Sequence, residues 1–283
     1  KAQSYFWKGD AYYRLSEFDS SITYFDTFLT LPGAYILSIY NMAYYNIGYC
    51  HFKQKEYKAA IKNFRKFITN KSDENKKIIN DAYLRIGDCY FVSKEYSNAS
   101  EYYSNAIEIK EFDTDYAMFQ KSLCLYAQGK YDAQITDLLE LLVDYPKTAY
   151  ADDAKFELAN TYLAKNDNVN ALAYYKKVIS EYPNSSYVKL AMLKIGLIYF
   201  NTDKNELALK TFKKVVNDYP ASDASKDALV GIRNIYMDLD KVDSFYVYVK
   251  SLPFEYGSKT EQDSITYMAC ENSYMKNGDC PRS

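Results

Sequence analysis

The chain has 283 residues, and 35 Lys plus Arg against 37 Asp plus Glu leave a formal net charge of −2. That balance excludes the strong basic field of a general nucleic-acid binder, and 48% hydrophobic with 17% aromatic residues excludes a disordered chain. Only 9 Gly and 6 Pro punctuate it, beside 33 Tyr and a single Trp, so long helices joined by short turns are expected rather than strand-and-turn architectures.

In chain order, Gly9 with Tyr12, Phe18 and Phe25 opens a pattern that returns downstream. Ile47-Gly48-Tyr49-Cys50 and Ile86-Gly87-Asp88-Cys89 lie 39 residues apart, each followed by a Tyr (Tyr57, Tyr96) and then an Ala (Ala60, Ala99). Ala117, Leu125, Tyr131 and Leu138 form a less typical fourth copy. Ala151–Pro183 and Lys189–Pro220 align without a gap at a period of 37, placing Ala154 over Ala191, Tyr162 over Tyr199, Tyr175 over Phe212 and Pro183 over Pro220. Ala228 and Tyr236 continue the register, and Thr260–Asn277 resembles the first helix of an eighth copy. The expected organisation is one solenoid over 1–283, with approximate units 1–39, 40–78, 79–114, 115–150, 151–187, 188–224 and 225–254 and a partial terminal unit 255–283.

Each unit reads as two helices. In the fifth, Ala154, Leu158, Ala159 and Tyr162 have helical spacing, and after a polar turn at Lys165–Asn168 the residues Ala171, Leu172, Tyr175 and Val178 repeat it. Ala43, Ala82, Ala117, Ala154, Ala191 and Ala228 leave room for close helix contact. Gly9, Gly48, Gly87 and Gly196 do the same, and since a mid-helix Gly costs about 1 kcal/mol, their recurrence predicts a compensating backbone contact. One such pair cannot bury its apolar face alone, so the pairs are expected to stack into an all-α, right-handed α-solenoid of antiparallel helix pairs with a concave surface.

This pattern of Gly or Ala, Tyr, aromatic, Ala, aromatic and terminal Pro resembles the tetratricopeptide repeat family, as in Ile86-Gly87-Asp88-Cys89-Tyr90 through Tyr96, Ala99, Tyr103 and Ala106. The longer period implies extended helices or longer turns between units. The junctions at Asp144-Tyr145-Pro146, Glu181-Tyr182-Pro183 and Asp218-Tyr219-Pro220 resemble those of bacterial envelope repeat proteins, including the outer-membrane assembly lipoprotein and the coordinator of the Tol-Pal system. That resemblance implies a periplasmic or outer-membrane-associated setting, with an intracellular scaffold as the other option.

The resemblance also implies that the first helix of each unit lines the concave face. The inward register then holds Tyr45, Leu84, Phe119, Phe156 and Leu193, with Tyr49, Asp88, Leu123, Asn160 and Leu197 one turn later. These ten are the candidate partner-binding residues, because Tyr and other large side chains offer contact area at modest ordering cost. The alternative for the aromatics is to fill the layers between helices. Family members that clamp acidic C-termini use recurrent Lys and Asn; only Asn160 matches here, so such a clamp is not expected.

Nothing in the chain points to catalysis, a cofactor or a metal. His51 is the only His and replaces the Tyr of other copies, which reads as a packed, hydrogen-bonded ring and excludes a His-based triad. Asp152-Asp153 and Glu140 with Asp144 read as solvated helix faces, and no phosphate-binding glycine motif occurs. Asn166, Asn168 and Asn170 read as turn and capping residues. Lys176-Lys177 and Lys213-Lys214 recur with acidic neighbours, giving a mixed-sign surface. The five Cys (Cys50, Cys89, Cys124, Cys270 and Cys280) are odd in number and lack C-x-x-C spacing, as buried free thiols do. No stretch reaches the roughly 18 apolar residues of a membrane span and no signal-peptide pattern precedes Lys1. Peripheral or lipoprotein membrane association of a longer protein stays open. The expected function is a non-catalytic scaffold for a peptide or protein partner, without nucleic acid; the alternatives are a glycan or small-ligand module accessory to an envelope enzyme, or a structural spacer.

Overall fold

Helix formation follows the apolar spacing. In Tyr57–Thr69, Ala60, Ile61, Phe64 and Phe67 are buried on one face while Lys58, Lys62, Arg65 and Lys66 stay exposed on the other, the amphipathic arrangement that packing rewards. In a computed structural model, which describes residues 1–69, 76–220, 222–253 and 267, the described residues form fourteen α-helices in seven consecutive pairs and no strand.

The helices gather into two compact units, Lys1–Ala154 and Lys155–Ser283. The first contains α1 (Ala2–Arg14), α2 (Phe18–Thr30), a 3-10 turn at Ala34–Ile36, α3 (Tyr40–Lys53), α4 (Tyr57–Thr69), α5 (Lys76–Val92), α6 (Tyr96–Ile109), α7 (Thr114–Ala127) and α8 (Tyr131–Asp144). The division falls within α9 (Ala151–Ala164). The second unit continues with α10 (Asn168–Glu181), α11 (Val188–Asn201), α12 (Asn205–Asp218), α13 (Asp223–Asp238) and α14 (Val242–Lys250). Within each unit, successive helices pack on one another and on the helix after next, so α3 touches both α1 and α5. This is α-solenoid packing. The proposed eighth copy at Thr260–Asn277, with Cys270 and Cys280, lies outside the described residues.

Every pair is closed by the same turn. At Leu15–Glu17, Glu17 N–H donates to Tyr12 C=O at 3.0 Å and Ser16 N–H to Tyr13 C=O at 2.9 Å, which is a Schellman motif. The same two-bond turn recurs around Lys55, Lys94, Gly129, Asn166, Asp203 and Asp240, each with φ between 54° and 71°. Only Gly129 is a glycine among these left-handed positions, which accounts for a helical chain so poor in Gly.

The extra length of the repeat lies mainly between pairs. The α2–α3 connection holds the 3-10 turn, α5 is 17 residues long, and α8, α10 and α12 end at Asp144, Glu181 and Asp218, directly before the Tyr-Pro dipeptides. In all three junctions the carbonyl of that Tyr accepts from the N–H three residues on, at Thr148, Ser185 and Ser222 (2.9–3.0 Å).

The recurrent glycines have the contact their cost requires. A Cβ on Gly9, Gly48 or Gly87 would meet the ring of Phe25, Phe64 or Tyr103 of the following helix within 2.9 Å. Phe212 is clasped from both sides, since a Cβ on Gly196 would approach it to 2.5 Å and one on Gly231 to 2.6 Å. Cys50, Cys89 and Cys124 are buried free thiols, raised by burial to about 11, 12 and 12. His51 Nδ1 lies 2.6 Å from Glu56 Oε2 across the α3–α4 turn.

Candidate functional site

The first helices of three consecutive pairs, α3, α5 and α7, build one connected polar cluster in the first unit. Asp81, Arg85 and Asp88 follow i, i+4, i+7 spacing and so share a stripe of α5. Tyr45 donates its hydroxyl to Asp81 Oδ2 at 2.7 Å, and Tyr49 donates to the same oxygen. Arg85 bridges the two carboxylates, with Nε 3.3 Å from Asp81 Oδ1 and Nη1 2.5 Å from Asp88 Oδ2. Asp88 Oδ1 accepts from Tyr103 of α6 and Tyr116 of α7, both at 2.8 Å. Phe52 lies under the guanidinium, 6.0 Å from ring centre to Cζ.

Burial sets the protonation states. It is the largest influence on Tyr45, Tyr49, Tyr103 and Tyr116, all raised well above the ordinary phenol value, so each remains a donor. Burial also raises the Asp88 carboxyl, against the opposing pull of Arg85 and of the Tyr116 and Tyr103 hydroxyls. Tyr13 of α1 is raised by burial and lies 5.7 Å from Phe18 between ring centres. Tyr45, Tyr49, Phe52 and Arg85 are half-buried, so their outer edges form a face of aromatic rings around a bridged guanidinium, and Tyr13 is half-buried on α1, which packs on α3.

Of the ten residues singled out from the sequence, Tyr45, Tyr49 and Asp88 belong to this cluster, and Leu123 is half-buried on α7. Three of the ten are buried in the first unit. Leu84 is fully buried, Phe119 is stacked on Tyr150 at 5.3 Å, and Asp88 is buried beneath Arg85. In the second unit Phe156 and Leu193 are buried, with Phe156 stacked on Tyr187 at 4.5 Å and edge-on to Tyr175. Asn160, half-buried, accepts the Tyr175 hydroxyl at 2.6 Å, and Leu197 is half-buried in the apolar cluster around Phe212. Phe119 and Phe156 thus pack on Tyr150 and on Tyr175 and Tyr187 between helices, as the alternative reading of the aromatics expects.

Asp81, Arg85 and Tyr116 were missed. Asp81 and Tyr116 stand directly before the column alanines Ala82 and Ala117, and the available signals were the recurrence of Asp81 as Asp153 and Asp227 and the i, i+4, i+7 spacing of Asp81, Arg85 and Asp88. The Asn reading near residue 168 needs one adjustment: Asn166 takes the left-handed turn position, while Asp167 is the cap, accepting from Asn170 N–H at 3.1 Å. Among the described residues no three His, Cys, Asp or Glu side chains gather as a metal site, and no helix is long and apolar enough to cross a membrane.

Family models of the tetratricopeptide repeat match residues 6–75 and 81–113, and a model of the tetratricopeptide repeat-like domain matches residues 98–225. The chain is built of tetratricopeptide repeats. No curated protein matches it in sequence. Solved repeat structures are similar in fold. The C-terminal part of a tetratricopeptide repeat protein from Cytophaga hutchinsonii superposes with a TM-score of 0.61 at 14% identity, covering 96% of this chain and 95% of that one. A tetratricopeptide repeat protein from Parabacteroides merdae gives 0.57 at 14% identity, covering 95% and 98%. YrrB, described as a repeat protein with an unusual peptide-binding site, gives 0.53 at 20% identity, covering 72% and 92%.

Proposed function

We propose that this repeat chain is a non-catalytic scaffold that binds a peptide or partner protein on the face made by α1, α3, α5 and α7. The observation that supports it best is the Tyr45–Asp81–Arg85–Asp88–Tyr116 cluster. A spacer needs only apolar layers, whereas here two carboxylates and a guanidinium of α5, Asp88 buried and Asp81 and Arg85 half-buried, are held by tyrosines of α3, α6 and α7 and rimmed by aromatic edges. Such pre-ordered Tyr and Arg groups are the residue types that anchor interfaces, because little side-chain freedom remains to be lost on binding. The fold of YrrB, itself a peptide binder by description, is compatible with this reading. An envelope setting is a narrower part of the proposal and rests on the Tyr-Pro junction sequences alone.

The test is site-specific photo-crosslinking from native extracts, with a photoreactive phenylalanine analogue at Tyr13 or Phe52 and, as a control, at Val143, which is 76% exposed on α8. The expected result is a shared crosslinked partner at the first two positions and not at Val143. Crosslinking of every partner from Val143 and none from Tyr13 or Phe52 overturns the assignment.

A further inference from the structure

The outer face of α4 carries a second feature that shares no residue with the cluster on the first helices. A cavity of about 580 Å³ lies between α4, the C-terminal end of α5 and the turn that follows it, within the usual range for a ligand site. Lys58, Lys62, Arg65 and Lys66 of α4 line it. Some lysines elsewhere are paired, as in Lys121–Asp137, Lys155–Glu181 and Lys214–Asp218. These four cations have no ion-pair partner among the described residues. The one carboxylate in the lining, Glu95, instead accepts from Asn98 Nδ2 at 2.8 Å, and Glu101 reaches Arg65 only through space.

Two of the cations are fixed by aromatic rings. Arg65 donates from Nε to the Tyr102 hydroxyl at 2.7 Å, and its Cζ lies 5.6 Å and 5.4 Å from the ring centres of Tyr90 and Tyr102. Lys66 Nζ sits 5.0 Å from the Tyr44 ring centre. With Nε engaged, the terminal nitrogens of Arg65 are left for an incoming anion, and the position of the guanidinium is already set. Beneath the charges, Ile61 and Tyr90 are buried and give the cavity an apolar wall.

The cations form a row rather than a ring. Lys58 to Lys66 spans about 12 Å of helix, the length of about four extended residues. A lone phosphate would engage one or two of these groups; a strand with carboxylates at alternate positions on one face would reach both ends of the row. We propose that this cavity binds an acidic peptide segment, with several Asp or Glu side chains flanking one apolar side chain that enters between Ile61 and Tyr90.

The test uses the full chain and a fluorescein-labelled probe, the capped peptide Asp-Glu-Phe-Asp-Glu, read by fluorescence polarisation. The expected result is saturable binding that weakens with added salt and falls about tenfold in the double substitution Lys62→Glu with Lys66→Glu. Both lysines are exposed, so the variant should retain its circular dichroism; Lys62→Gln with Lys66→Gln should weaken binding to a smaller extent. Arg85→Ala should leave this binding unchanged, which separates the site from the first-helix face. Absence of saturable binding, binding unmoved by charge reversal, or tighter binding of inorganic phosphate than of the peptide each overturns the proposal.

Discussion

At the scale of single residues, the choice between Tyr and Phe in four copies of one repeated position follows what faces it. Tyr103 has Asp88 as acceptor and Tyr175 has Asn160, each fifteen residues earlier. The equivalent Phe64 meets the ring edge of Tyr49 instead, and Phe212 lies in an apolar cluster with Leu197. A fully buried hydroxyl without an acceptor is costly, so the acceptor and the hydroxyl come together. Tyr103→Phe should therefore cost about 1–2 kcal/mol and Phe212→Tyr about 1–3 kcal/mol, although each swap only exchanges residues that the repeat already uses. Denaturant unfolding of both variants checks this; a stable Phe212→Tyr would show that the pairing carries no weight. The repeat register made the aromatic columns legible, since Tyr175 aligns with Phe212. The hydrogen-bond partners were not: Asp81 recurs as Asp153 and Asp227 ahead of the column alanines, but Tyr116 stands in the same column, Arg85 has no arginine counterpart, and only the packed helices bring the three together.

The helix ends carry the element-scale argument. All the turns inside pairs use one left-handed residue, and six of the seven described are Ser, Lys, Asn or Asp rather than Gly. A side chain in that region costs about 1–2 kcal/mol, part of which Gly returns through its greater unfolded freedom. Lys94, with φ 60°, is exposed and has no ion-pair partner among the described residues, so Lys94→Gly should stabilise the chain by about 0.5–1 kcal/mol. A lowered denaturation midpoint would contradict the turn assignment. Helix positions could be read from apolar spacing and from the Tyr-Pro junctions, but the closing turns could not, since their usual Gly signal is present only at Gly129. Gly231 illustrates the same limit: it lies opposite Gly196 across one ring, a relation between neighbouring pairs that alignment within a repeat does not show.

For the molecule as a whole, the chain consists of repeated helix pairs whose contacts are made with neighbours in sequence, in two compact units. In such arrays stability accumulates through nearest-neighbour interfaces, which leaves outward groups free to diverge from one repeat to the next. The first unit uses that freedom twice, once in the Tyr–Asp–Arg cluster on its first helices and once in the row of cations on α4. The architecture was legible in the sequence because it repeats; the sites were legible only in Tyr45, Tyr49 and Asp88, because elsewhere they are the places where the repeat is broken. The central claim is that the first-helix face holds the partner, and the most direct measurement is titration calorimetry of a crosslinked partner, once identified, against the wild type and Arg85→Ala with Phe52→Ala. Confirmed folded by circular dichroism, the double substitution should weaken binding at least about tenfold, or roughly 1.4 kcal/mol; an unchanged dissociation constant would contradict the account.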